Sequence, residues 1–228
     1  MSFSKGSSHW TCTVGLRVWT LTSKSILLLF FLSSFVMLLL HASKGGGQLV
    51  TERYLTNRGA NPVVSDKESM TPLHYAAQNG QPKLVKFLIS SVVCVDIEFD
   101  CLASTPLTTA ALHGQARTME VLLEHHADVN AATGNCCTPL YMTTYAGSLE
   151  CTILLIKAGA DVNYRCPLAR AVPNGVIEII KYLLDAGADP NLRNYYRWLP
   201  IEIGEMHNKM EIVEMFFPLT SPVRQIHY

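Results

Sequence analysis

Thr71-Pro72-Leu73-His74-Tyr75-Ala76-Ala77-Gln78-Asn79-Gly80 carries a complete set of helix instructions within ten residues. Threonine offers an N-cap hydroxyl, proline suits the first helical position, and leucine follows as a buried anchor. Glycine tolerates the left-handed backbone that stops a helix. The opening recurs as Thr105-Pro106-Leu107-Thr108, Thr138-Pro139-Leu140-Tyr141, Cys166-Pro167-Leu168-Ala169 and Leu199-Pro200-Ile201-Glu202. Its prolines are spaced 34, 33, 28 and 33 residues apart, the period of a stacked solenoid.

The copies also agree in their interiors. Nine residues after each opening position stands Gly80, Gly114, Gly147, Gly175 or Asn208. A second apolar run follows each turn: Leu84 to Leu88, Met119 to Leu123, Ile153 to Ile156, Val176 to Leu184 and Met210 to Phe217. Stops of the type His126-Ala127-Asp128, Gly159-Ala160-Asp161 and Gly187-Ala188-Asp189 then lead into extended Val-Asn or Pro-Asn stretches. Each unit therefore reads as helix, tight turn, helix and protruding hairpin.

In these residues the chain resembles the ankyrin repeat family from Gly46 to Leu219, which implies an all-α solenoid of about five repeats. The repeats run 71–104, 105–137, 138–165, 166–198 and 199–219. An N-terminal extension occupies 1–45, a linker with a degenerate half repeat 46–70, and a tail 220–228. Asp185 to Asn191 and Phe217 to Pro222 resemble the last repeats of plant proteins that join ankyrin repeats to a tetratricopeptide domain. That likeness implies a scaffold or co-chaperone-like adaptor, with the tetratricopeptide part expected to be absent.

The extension contains a run from Ser25 to Ser43 without formal charge, including Ile26 to Leu32 and Val36 to Leu40. As a helix of ~1.5 Å per residue it would span about 28 Å, close to a hydrocarbon core of ~30 Å. A membrane anchor bracketed by Lys24 and Lys44 is the first reading, which makes the N-terminal segment a hydrophobic helix. A secretory signal and a segment that does not insert are the alternatives. Gly45-Gly46-Gly47 would serve as a flexible joint to the solenoid.

Eighteen basic residues balance eighteen acidic ones, so no overall field drives binding to nucleic acid. Seven cysteines lack metal-ligand spacing, and none of the ten asparagines begins an Asn-x-Ser/Thr sequon. Both features favour repeats facing the cytosol, with a soluble cytoplasmic protein as the alternative. Nucleophile, phosphate-loop, dinucleotide and HExxH motifs are lacking, so no catalytic, cofactor or metal residue is assigned and the chain is read as a nonenzyme. His125-His126 falls at a helix stop, and His74 belongs to the repeat pattern as a backbone stitch.

Binding is the remaining function class. The ankyrin resemblance implies that hairpin tips and part of each first helix line a concave side. In register, the outward positions are Tyr75 and Gln78, Thr109 and Leu112, Met142 and Tyr145, Arg170 and Pro173, Ile203 and Met206. Tyr75, Leu112, Met142, Tyr145 and Arg170 are taken as candidate contacts. The tip Arg193-Asn194-Tyr195-Tyr196-Arg197-Trp198 concentrates residue types typical of interface hot spots, so Arg193, Tyr195, Tyr196, Arg197 and Trp198 join them. The expected partner is another protein, bound by a monomeric repeat domain. The competing reading is a structural or nonfunctional fragment of a longer chain.

Overall fold

The computed structural model describes residues 56–57, 61–91, 94–98 and 104–220, together with the backbone of 2–5, 10–14 and 17–21. Ten helices between Pro72 and Phe216 form five pairs. They are α1 (Pro72–Gln78) and α2 (Pro82–Ser90), α3 (Pro106–Leu112) and α4 (Ala116–Glu124), and α5 (Pro139–Ala146) and α6 (Leu149–Lys157). The last two pairs are α7 (Pro167–Asn174) with α8 (Ile177–Asp185) and α9 (Pro200–Met206) with α10 (Met210–Phe216).

Each first helix begins at its proline, but the cap chemistry differs from copy to copy. The Thr105 hydroxyl accepts from the Thr108 N–H at 3.3 Å, while the Thr105 N–H donates to the Thr108 hydroxyl at 2.8 Å. His74 takes the reciprocal role in the first copy, its Nδ1 accepting from the Thr71 N–H at 3.3 Å. Its Nε2 reaches the Ser104 carbonyl at 3.3 Å, at the end of the same repeat and next to the Thr105 opening, a stitch to the backbone of the kind expected from sequence. In the last copy the Leu199 N–H donates to the Glu202 carboxylate at 2.6 Å. Helices α5 and α7 close on Gly147 and Gly175 in the left-handed region, at φ 71° and 72°. His126 occupies that region at φ 64° where the third and fourth units use glycine.

Two buried columns hold the stack. Leu73, Leu107, Leu140, Leu168 and Ile201 stand at one register of the first helices, and Leu88, Leu122, Leu155, Leu183 and Phe216 at one register of the second; all are buried. Successive first helices pack on one another from α1 to α9, and second helices from α2 to α8. Small buried residues such as Ala76, Ala77, Ala110 and Ala111 permit the close approach of first helices. A truncation such as Leu122→Ala would cost about 2–5 kcal/mol, because the neighbours on both sides are fixed by the repeat.

The N-terminal extension departs from the all-α expectation. β1 (Ser2–Lys5), β2 (Trp10–Val14) and β3 (Arg17–Leu21) form an antiparallel meander, with Phe3 opposite Cys12 and Cys12 opposite Trp19. Threonine, valine and tryptophan favour extended backbone. Among the described residues no helix is long and apolar enough to cross a membrane. The expected span 25–43 lies outside the described residues.

Pro173 lies inside α7, and the helix continues through it to Asn174. Proline lacks the N–H that would serve the Ala169 carbonyl, but its place in the final turn limits the damage to one bond.

Candidate functional site

Three hairpins that precede repeat openings, at 66–70, 133–137 and 194–198, are fingers built on one plan. Asn194 Oδ1 accepts from the N–H groups of Tyr196 and Trp198, each at 3.0 Å. The Asn194 N–H donates to the Trp198 carbonyl at 2.9 Å, and the Arg197 N–H to the Asn194 carbonyl at 2.9 Å. Arg197 stands in the left-handed region at φ 65°. Asp66 and Thr133 do the same work in two earlier fingers, where Ser69 and Cys136 take the left-handed position. Arg193 Nη1 donates to the Arg197 carbonyl at 2.6 Å and lies 3.6 Å from Glu202, so Arg193 braces the finger.

Between the fingers at 133–137 and 194–198 the chain is five residues short, with only Tyr164 and Arg165 between Asn163 and Cys166. Arg165 and Cys166 both adopt left-handed backbone, at φ 63° and 57°, to make this abrupt return. The missing finger leaves a notch. Its outcome is a groove of about 510 Å³, walled by Tyr195, Tyr196 and Trp198 and floored by Ala169, Arg170 and Pro173 of α7. Ile203, Met206 and His207 extend the floor, and Cys137, Tyr141 and Arg165 close the other side.

Arg165 spans the notch. Its Nε donates to the Cys136 carbonyl at 3.4 Å, its Nη2 donates to the Asn135 carbonyl, and its guanidinium carbon lies 5.3 Å from the Tyr195 ring centroid. Arg170 lies over Tyr145, 4.2 Å from the centroid. Tyr195 and Tyr196 meet edge to face at 5.4 Å and are 77% and 74% exposed. Trp198 is 45% exposed, which leaves part of its indole available beside the groove.

The expected contact residues thus divide. Arg170, Tyr195, Tyr196 and Trp198 converge on the groove, with Tyr145 behind Arg170. Met142 is partly buried against the core, and Leu112 is exposed away from the groove lining. Arg197 supplies the turn rather than the lining, and Arg193 the brace. Tyr75 is a correction: it is only 4% exposed, packed with Met70 and Val64, and its hydroxyl donates to Asp66 at 2.5 Å. The segment preceding the first repeat covers the place that a repeat-only register leaves open. Thr109 and Ile203, two further outward positions, are likewise buried.

Sequence reasoning missed Arg165 and Asn194 as site builders. The signal for Arg165 was the shortened hairpin; that for Asn194 was an Asn five residues before the next opening, matched by Asp66 and Thr133 in register.

The groove's chemistry is that of contact. Burial pushes the Cys166 thiol up to about 11, and its Sγ donates to the Leu192 carbonyl at 3.3 Å, so it is a packed thiol. Burial also raises Tyr141, against the pull of the Arg170 cation. Among the described residues no group of three or more His, Cys, Asp or Glu side chains could hold a metal ion.

Comparison with known proteins matches residues 38–133 and 131–194 to the family described as ankyrin repeats in three copies. This chain belongs to the ankyrin-repeat family. Its ankyrin region is similar to human "Transient receptor potential cation channel subfamily A member 1", 28% identical over 163 residues, covering 65% of this chain and 14% of that protein. The mouse "B-cell lymphoma 3 protein homolog" is 26% identical over 174 residues, 71% of this chain and 38% of its own. "Alpha-latrocrustotoxin-Lt1a" of Latrodectus tredecimguttatus is 30% identical over 191 residues, 74% of this chain and 13% of the toxin. This ankyrin chain therefore spans well under half the length of these relatives.

Proposed function

We propose that the protein is a noncatalytic scaffold or adaptor that binds another protein through the groove beside its short finger. The observation that carries this reading is the placement of Tyr195, Tyr196 and Trp198, exposed yet held by a hydrogen-bonded loop, along one wall of a cavity. Rigid aromatic side chains give large contact area at small entropic cost, which is why they dominate interface hot spots. The ankyrin fold supports the same class, since its stacked repeats present an extended binding surface.

Affinity capture from native cells with the full chain, compared with Tyr195→Ala/Tyr196→Ala/Trp198→Ala, tests it. Partners held by the parent chain should be lost by the variant while helical signal and melting temperature stay unchanged. Capture that persists in the variant would place recognition elsewhere.

Attachment to a membrane through residues 25–43, with the repeats in the cytosol, is part of the same proposal. It is supported by the length and charge-free character of that run and by the lack of sequons. Resistance of the full chain to carbonate extraction is the expected result. Recovery in the supernatant would leave a soluble interaction module.

A further inference from the structure

We propose that the notch takes an extended peptide segment of the partner whose carboxylate side chain pairs with Arg170 and Arg165 and whose neighbouring apolar side chain packs against Trp198 and Met206. This rests on the groove being the recognition surface. Two guanidinium groups line the cavity, and no aspartate or glutamate is among its lining residues. The one ion pair among the described residues, Arg193 with Glu202, lies outside that lining. Arg165 is held by the neutral carbonyls of Asn135 and Cys136, which fix its direction and leave its charge uncompensated.

Arg170 is the sharper case. Its Nε is shut off from solvent without a hydrogen-bond partner, so a ligand in the groove meets the outer edge of the guanidinium. Its guanidinium carbon lies over the Tyr145 ring, 4.2 Å from the centroid, a contact that holds the group in place before a ligand binds. A planar cation on a cavity wall whose lining includes no acidic residue matches a carboxylate better than any neutral group. Beside it, Pro173, Trp198 and Met206 offer apolar surface, and Met206 is 62% exposed. A cavity of about 510 Å³ holds a few side chains and not a folded domain. Its occupant is therefore a strand-like segment carrying an acidic residue next to an apolar one.

The test is a displayed library of random dodecapeptides panned against the full chain in mild detergent. A representative enriched peptide is then synthesised and its affinity measured by fluorescence polarisation. Enriched sequences should place Asp or Glu within two positions of an apolar residue. Changing that acid to its amide should weaken binding about tenfold or more to the parent, and much less to Arg170→Gln, since the paired charge is already gone. Trp198→Ala should weaken every peptide. If enriched peptides need Trp198 but lack an acid, or tolerate the amide, the carboxylate inference fails while the groove reading stands. If no peptide is enriched, or binding ignores both Trp198→Ala and Arg170→Gln, both fail. Circular dichroism and melting confirm that each variant is folded.

Discussion

Arg170 stacks on Tyr145 across the boundary between the third and fourth repeats, its guanidinium carbon 4.2 Å from the ring centroid. The pair joins α7 to α5 on the side where the finger between them is short. Exposed cation–π contacts contribute about 0.5–1 kcal/mol. A double-mutant cycle with Tyr145→Ala and Arg170→Gln, read by denaturant unfolding, should return a coupling of that size. Strict additivity would show that the stacking carries no energy.

Asn194 should govern the aromatic wall. Asn194→Ala removes the acceptor for the Tyr196 and Trp198 N–H groups and should destabilise the protein by about 1–2 kcal/mol. Asn194→Asp should restore most of it, because Asp66 performs the same task in the first finger. Tryptophan fluorescence and the melting temperature report both changes. An unaltered Asn194→Ala protein would mean that packing alone holds the finger.

His74 makes stability depend on acid. Burial lowers its pKa from 6.5 to about 4, against the opposing backbone hydrogen bonds from Ser104 and Ile97. A folded-state value below the unfolded one favours the neutral ring, so this contribution is complete above pH 6.5 and is lost as pH falls toward 4. The loss should approach about 3 kcal/mol. Melting of His74→Gln should lack this component between pH 6.5 and 4. Parallel pH profiles for the parent and the variant would contradict it.

Asp96 is the odd member of a ladder. Asn130 and Asn163 accept the backbone N–H of Asp161 and Asp189 through their amide oxygens, at 2.9 and 2.8 Å. Asp96 accepts that of Asp128 through a carboxylate. Its pKa is raised, chiefly by burial and further by the Asp128 charge, while the backbone hydrogen bond opposes. A raised carboxyl disfavours the folded state once ionised and favours it as pH falls through the folded value. Asp96→Asn should therefore raise the neutral-pH melting temperature by about 1–3 °C, the scale of a screened charge effect. That gain should vanish at pH values where Asp96 is protonated, and a lower melting temperature at neutral pH would refute the argument.

The short repeat has its own rule. Threonine caps three of the other openings, but Cys166 sits at φ 57°, where a β-branched residue is strained. Cys166→Thr alone should destabilise by about 1–2 kcal/mol, and the same change with the five missing finger residues restored should not. Hydrogen exchange should show weaker protection across 168–175 than in α3 and α5, given the uncapped start and Pro173. Uniform protection would indicate that the buried Cys166 seals the turn fully.

The TPLH-type openings, the glycine stops and the two buried columns were legible in the chain because they follow from local backbone rules and repeat at a fixed period. Leu73 and Leu107 are interior for the same reason at every register, and no distant contact is needed to know it. Exposure of the remaining positions obeyed no such rule. Tyr75 is buried because the chain before the first repeat folds over it, and Tyr145 is open in part because the finger beside it is short. Arg165 carries no local signal of its place, 5.3 Å from the Tyr195 ring centroid across the shortened turn. The solenoid, the starts and stops of its helices and the hairpin that is five residues short all follow from local rules along the chain. That the shortening opens a groove emerges only when the repeats are stacked, since a cavity is a property of what neighbouring repeats fail to fill.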